Sequence, residues 1–242
     1  MMRNERWIRL LLTVMMQRID FTRHVKPSAT LHDIISYIRS SYLHDRSTPE
    51  SIMGLLFARP ECKIAKDEII PSLRYFDVRS GDNIDIFFPG YVEADQANTK
   101  CALHDVGAMK WMFDEKLFNE ARRDLENRTK WKYSGEADFL LANVKLVDKD
   151  VGYRVDFGRV INLDLDMMIR EKSIESVPRL LEHIFDFAEH DHSSDPVGKF
   201  SDLMGWRMAK KATVAGFWDV MKSLLKIDFR AVKDFAVRDV SK

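Results

Sequence analysis

Cys62 is the residue best placed to act as a nucleophile. It follows the apolar run at residues 53–58 (MGLLFA) after a short break, Arg59-Pro60-Glu61, and stands where a helix is predicted to begin. Backbone amides and the helix dipole at such a position stabilise a thiolate. A catalytic thiol is therefore one expectation, and a small packing residue the other. Asp164 and Asp166 close a later strand region. Alternate strand residues face one side, so the two carboxylates would project together and could hold a divalent cation for hydrolysis. Asp138 and Lys145 on another strand invite comparison with metal-dependent nucleases, although the acidic-x-Lys element of such sites is here Asn143-Val144-Lys145. The alternative is a helix N-cap at Asp164 with Asp166 in the first turn, ahead of Met167 and Met168.

Two further constellations carry chemistry. His183, Asp186 and His190 share one face of a predicted helix, with His192 just beyond, opposite Leu180, Leu181, Ile184, Phe185 and Ala188. Two imidazoles and a carboxylate could ligate zinc or iron, and a polar face opposite an apolar stripe is equally that of an ordinary surface helix. Pro89-Gly90-Tyr91 ends a strand on the side where open α/β sheets bind ligands. Arg79, Ser80 and Asp82 lie at the other end of that strand, so the two groups do not share a site.

The elements that must position these residues follow from periodicity. Leu31, Ile34, Ile35 and Ile38 recur at helical spacing, with Thr30 as N-cap and Asp33 in the first turn. Residues 53–58 form a strand and residues 62–79 a helix with Ile64, Ile69, Ile70, Leu73 and Phe76 inward. Gly81 ends that helix at positive φ, and residues 83–88 (NIDIFF) return as a strand. The pattern recurs with a strand at 108–113, a helix at 114–130 using Leu117, Ala121 and Leu125, and a strand at 138–146. Residues 153–165 form a further strand region in which Gly158 marks a bulge or a hairpin corner. An amphipathic helix then spans 176–190. Two strand–helix–strand units predict an α/β fold: a central sheet with parallel neighbours, Rossmann-like or thioredoxin-like, and a helical C-terminus.

Composition narrows the function classes. Apolar residues make up 45% of the 242 and charged residues 31%, which excludes wholesale disorder. Lysine plus arginine and aspartate plus glutamate balance at 38 each, so no electrostatic footprint of a nucleic-acid partner is present. The two cysteines, Cys62 and Cys101, form no disulfide framework and fit a reducing compartment. No apolar run reaches the roughly 18 residues of a membrane span, so the expected location is cytoplasmic and no membrane partner is expected. The chain carries no glycine-rich phosphate loop, nucleophile elbow or Walker sequence, and no cofactor is expected.

Strand, short loop, cysteine and a helix with a proline partway along it (Leu55 to Ala58, Arg59-Pro60-Glu61, Cys62, Pro71) together resemble the thioredoxin-like superfamily over about 40 residues. That resemblance implies a thiol at Cys62 as the site. Here it lacks the second cysteine of a Cys-x-x-Cys and a clear proline ahead of the next strand. The string RSGDNIDIFFPGY also resembles uncharacterised bacterial proteins of phage-defence islands, which implies a context and no site.

The chain divides into an α/β core with an N-terminal helical segment, residues 1–196, and a C-terminal helical element, residues 197–242. Residues 199–242 contain ten basic and five acidic residues. On a helix, the apolar arc including Trp206, Phe217 and Trp218 is wider than a one-sided surface helix requires. These three are the expected partner-binding residues, since aromatic, methionine and basic side chains together mark interfaces. The expected function is a non-catalytic interaction or regulatory subunit, meeting a protein partner or a second copy. The alternative is an enzyme with a site at Asp164 and Asp166, or at Cys62.

Overall fold

A computed structural model describes residues 25–28, 31–32, 34–38, 50–93, 103–105, 111–148, 152–191, 193–204 and 235–242. Thr30, Asp33, Cys101, His192, Trp206, Phe217 and Trp218 lie outside these, as does the start of the strand expected at 108.

The strand at residues 53–58 extends to β2, Glu50–Ala58, in the middle of a six-stranded sheet whose order is β1 (Val25–Ser28), β3 (Ile84–Pro89), β2, β7 (Ala137–Asp148), β8 (Gly152–Asp164) and β9 (Val237–Arg238). Residues 51–58 are buried without interruption, as a strand covered on both faces requires. β1 (Val25–Ser28) and β2 both pair in parallel with β3, Ile84–Pro89. The connection from β2 to β3 is helical, so this first strand–helix–strand unit stands as expected. Its helix is not uniform. A π-turn at Ala65–Ile69 gives way to a 3₁₀ turn at Ile70–Ser72, then to α1, Leu73–Ser80. Pro71 has no N–H to donate and its ring crowds the preceding turn, which accounts for the changes of pitch. Gly81 follows at φ +51° and ψ −151°; the positive φ agrees with the expectation, while the ψ lies outside the left-handed helical region.

The second unit departs from expectation. Its first strand, β6 (Trp111–Asp114), belongs to a separate three-stranded antiparallel sheet with β4 (Tyr91–Glu93) and β5 (Leu103–Asp105), in the order β4-β6-β5. α2 (Glu115–Arg128) then connects the two sheets. Asp114 caps it by accepting from the amides of Lys116 and Leu117. The buried face of α2 is Phe118, Ala121 and Leu125, so Phe118 takes the place expected of Leu117. β7 (Ala137–Asp148) re-enters the large sheet antiparallel to β2, and β8 (Gly152–Asp164) pairs antiparallel with β7. Three parallel strands followed by antiparallel ones set aside the Rossmann-like arrangement, whose sheet is mostly parallel throughout.

Gly158 marks a bulge. Ala142 faces Val160 but Asn143 faces Asp156, leaving Phe157, Gly158 and Arg159 unpaired. α3 (Leu165–Arg170) follows β8 directly, and α4 (Val177–His190) starts from its N-cap Ser176. α4 packs on α1, with Phe185 against Phe76 at 6.2 Å between ring centroids. Residues 196–204 are helical, and β9 (Val237–Arg238) closes the sheet edge on β8. Val197, Phe200, Met204, Phe235 and Val240 join the same buried core as the sheet. Among the described residues, no helix is long and apolar enough to cross a membrane.

Candidate functional site

The residues with chemistry gather at one end of the large sheet, where β2 and β8 finish and β7 begins. Register brings them there. Ala58 at the end of β2 faces Ala137 at the start of β7, and Asp138 faces Asp164 at the end of β8. Tyr91 fixes this end of β2 by donating its hydroxyl to the Ala58 carbonyl at 2.9 Å. Pro89-Gly90-Tyr91 thus serves as the passage from one sheet to the other, with Gly90 at φ +84°.

Beyond Ala58 the chain turns tightly, the Cys62 amide donating to the Arg59 carbonyl at 3.1 Å. Arg59 anchors the turn through a fork on Glu115, 2.9 to 3.2 Å. Its guanidinium also lies over Phe118, 4.8 Å from the ring centroid, and over Tyr133 at 5.6 Å. Cys62 is buried, and its Sγ accepts from the Ala65 amide at 3.4 Å. A helix start would lower the pKa of the thiol, yet burial outweighs this. Together with the carboxylates of Asp166, Glu136 and Glu61, burial pushes the Cys62 thiol up to about 11. The structure therefore reverses the expected direction of the shift.

Asp164 and Asp166 divide their roles. Asp164 caps α3, its Oδ1 accepting from the Met167 amide at 2.9 Å, as the N-cap alternative holds. Asp166 turns back toward Cys62, near the Ala137 backbone, which favours its charged form. Burial and the neighbouring Glu136 nevertheless raise its pKa. The Sγ of Cys62 and carboxylate oxygens of Glu136 and Asp166 all lie within 4.8 Å of one another. Asp138, 1% exposed, accepts from the Ser134 amide at 3.0 Å. Burial pushes its pKa up to about 6, and Asp164 adds to the rise. The Asp138 Oδ1 and the Trp131 indole N–H are neighbours that miss hydrogen-bond geometry, so both remain unpartnered.

The other constellations separate. Lys145 lies seven residues along β7 from Asp138, roughly 23 Å away along a strand. It pairs with Asp156 at 3.1 Å instead. On α4, Asp186 bonds Arg79, which also holds Glu182 at 2.6 Å and Glu189 at 3.1 Å. The His190 Nδ1 is 2.7 Å from the Asp186 carbonyl. His183, Asp186 and His190 form no ligand group; among the described residues the one such group is Cys62, Glu136 and Asp166. Glu136 carries no functional signal in the sequence, where it reads as an ordinary turn residue after Ser134-Gly135. Its signal lies in the pairing of β7 with β2, which sets residue 136 beside the break that carries Cys62. No family model, curated protein or solved structure matches this chain.

Proposed function

We propose that the chain is a non-catalytic interaction or regulatory subunit of a bacterial protein assembly, built on a thioredoxin-like scaffold. The observation that carries this reading is the packing of Phe200 against Phe235, the described residues on either side of Trp206, Phe217 and Trp218. The helical residues 196–204 bury Phe200 and Met204, and Phe235 is buried with them. Phe200 and Phe235 meet edge to face with ring centroids 6.3 Å apart. The sequence between them contains Trp206, Phe217 and Trp218, aromatic residues of the kind that anchor interfaces.

The scaffold reading draws support from the parallel β2–helix–β3 unit headed by Cys62 and the antiparallel β7–β8 pair after it. A thiol enzyme would need an accessible thiolate, whereas Cys62 is buried with its sulfur engaged by Ala65. We infer an antiviral context for the assembly only from the resemblance of residues 79–91 to proteins of phage-defence islands.

Light scattering after size-exclusion chromatography tests the proposal, on the wild type alone and mixed with proteins encoded beside it. A wild type that assembles, and a Trp206→Ala/Phe217→Ala variant that stays folded and monomeric, is the expected result. A wild type that binds nothing, or a variant that unfolds, would assign these residues to the protein's own core.

A further inference from the structure

We propose that Cys62, Glu136 and Asp166 form a binding site for a divalent cation of the zinc class. Three separate segments supply the ligands: the turn after β2, the turn before β7 and the first turn of α3. Cys62 is held by the backbone through its turn on Arg59, and Asp166 by its place in the first turn of α3. Glu136 is exposed and free to swing. Bonds of about 2.3 Å to sulfur and 2.0–2.2 Å to oxygen place tetrahedral ligands roughly 3.5 Å apart. The ligand atoms lie within 4.8 Å, so a change of side-chain rotamer at Glu136 closes the site.

An independent observation points to a ligand. The Asp166 Oδ2 is shut off from water and has no hydrogen-bond donor. A buried carboxylate oxygen without a donor is costly, and a cation beside it removes that cost. The sulfur selects the metal: one thiolate with two carboxylates suits zinc or cobalt, whereas magnesium and calcium take oxygen alone. As the metal–sulfur bond forms, the Cys62 proton leaves to solvent, because a coordinating thiol is deprotonated. Three protein ligands leave a fourth position open to water.

The test uses the full chain, stripped with a chelator and titrated with cobalt(II). One equivalent should produce a thiolate-to-cobalt charge-transfer band that zinc displaces. Cys62→Ser should abolish the band. Glu136→Gln, at an exposed side chain that leaves the fold intact, should weaken binding by at least about 10-fold, since losing even an outer-shell partner of a metal ligand costs about 10- to 100-fold. No band, a band that persists in Cys62→Ser, or unchanged affinity in Glu136→Gln would overturn the site. These readouts are independent of whether residues 205–234 bind a partner.

Discussion

Asn143 and Asp195, far apart in sequence, meet across the protein: the Asn143 Nδ2 donates to the Asp195 Oδ1 at 2.9 Å. Asn143 is fully buried on β7, and its Oδ1 accepts from the Val197 amide at 3.0 Å. One amide therefore satisfies both a first-turn N–H of the helix at 196–204 and the carboxylate ahead of it. Asp195 also accepts from the Gly198 amide at 3.1 Å and binds Arg159 at 2.5 Å. Arg159 is one of the three residues thrown out of register by the β8 bulge. The bulge and the buried amide thus fix the start of the helix at 196–204 on the sheet.

Asn143→Leu keeps the approximate volume and removes both hydrogen bonds, leaving a buried amide and a carboxylate oxygen short of a partner. Each such group costs about 1–3 kcal/mol, so a loss of roughly 2–4 kcal/mol is expected in urea unfolding. Asn143→Asp keeps the acceptor for Val197 but sets a carboxylate against Asp195. It should be destabilised at neutral pH and recover part of the loss in acid. A variant as stable as the wild type would show that the helix at 196–204 is held by Phe200 and Met204 alone.

Gly90 carries a different constraint. Its φ of +84° disfavours any side chain, and a Cβ there would stand 2.5 Å from the Phe118 Cβ and 2.8 Å from the Phe118 Cα. The second contact is with backbone and cannot be relieved by a rotamer change. Gly90→Ala combines a conformational cost of roughly 1–2 kcal/mol with overpacking of about 1–3 kcal/mol. Thermal unfolding should show one of the largest losses of any single methyl added to this protein, and an unaffected melting temperature would contradict the close approach of α2 to the β3–β4 junction.

How much of this was legible in the sequence depends on the range of the cause. The uninterrupted apolar run of β2, the inward stripe through Ile64, Leu73 and Phe76, the Asp164 cap and the Gly158 bulge are local effects, and each is readable from neighbours a few residues away. The sheet membership of β6 is not. A four-residue strand, Trp-Met-Phe-Asp, has the same pattern in either sheet, and only pairing with Tyr91–Glu93 decides it. Cys62 shows the same limit in its electrostatics. Its position at a helix start is local, but the carboxylates of Glu136 and Asp166 that help burial reverse its pKa come from the turn before β7 and from α3, more than seventy residues downstream. Glu136 has no local signature at all.

The Arg59–Glu115 fork gives stability a pH dependence whose sign can be worked out. The hydrogen bond from Arg59 lowers the Glu115 pKa below its ordinary 4.5. An acid whose folded pKa is depressed contributes fully above its unfolded value, and the contribution is lost as pH falls through the folded one. Glu115→Gln should therefore be less stable than the wild type at neutral pH and converge with it as pH falls past the ordinary 4.5 and through the depressed folded value. The Glu115 side chain is 46% exposed, so solvent screening limits the difference; about 0.5–1 kcal/mol is expected, smaller at high salt. Arg59→Ala should cost more, and part of that cost should persist in acid. The guanidinium also covers the faces of Phe118 and Tyr133, an attraction that does not depend on the charge of Glu115. Arg59→Lys should recover little, because an ammonium reproduces neither the fork nor the stacking. Urea unfolding of the three variants from acid to neutral pH checks this. A Glu115→Gln deficit that grows in acid would show that the pair does not hold the turn that presents Cys62.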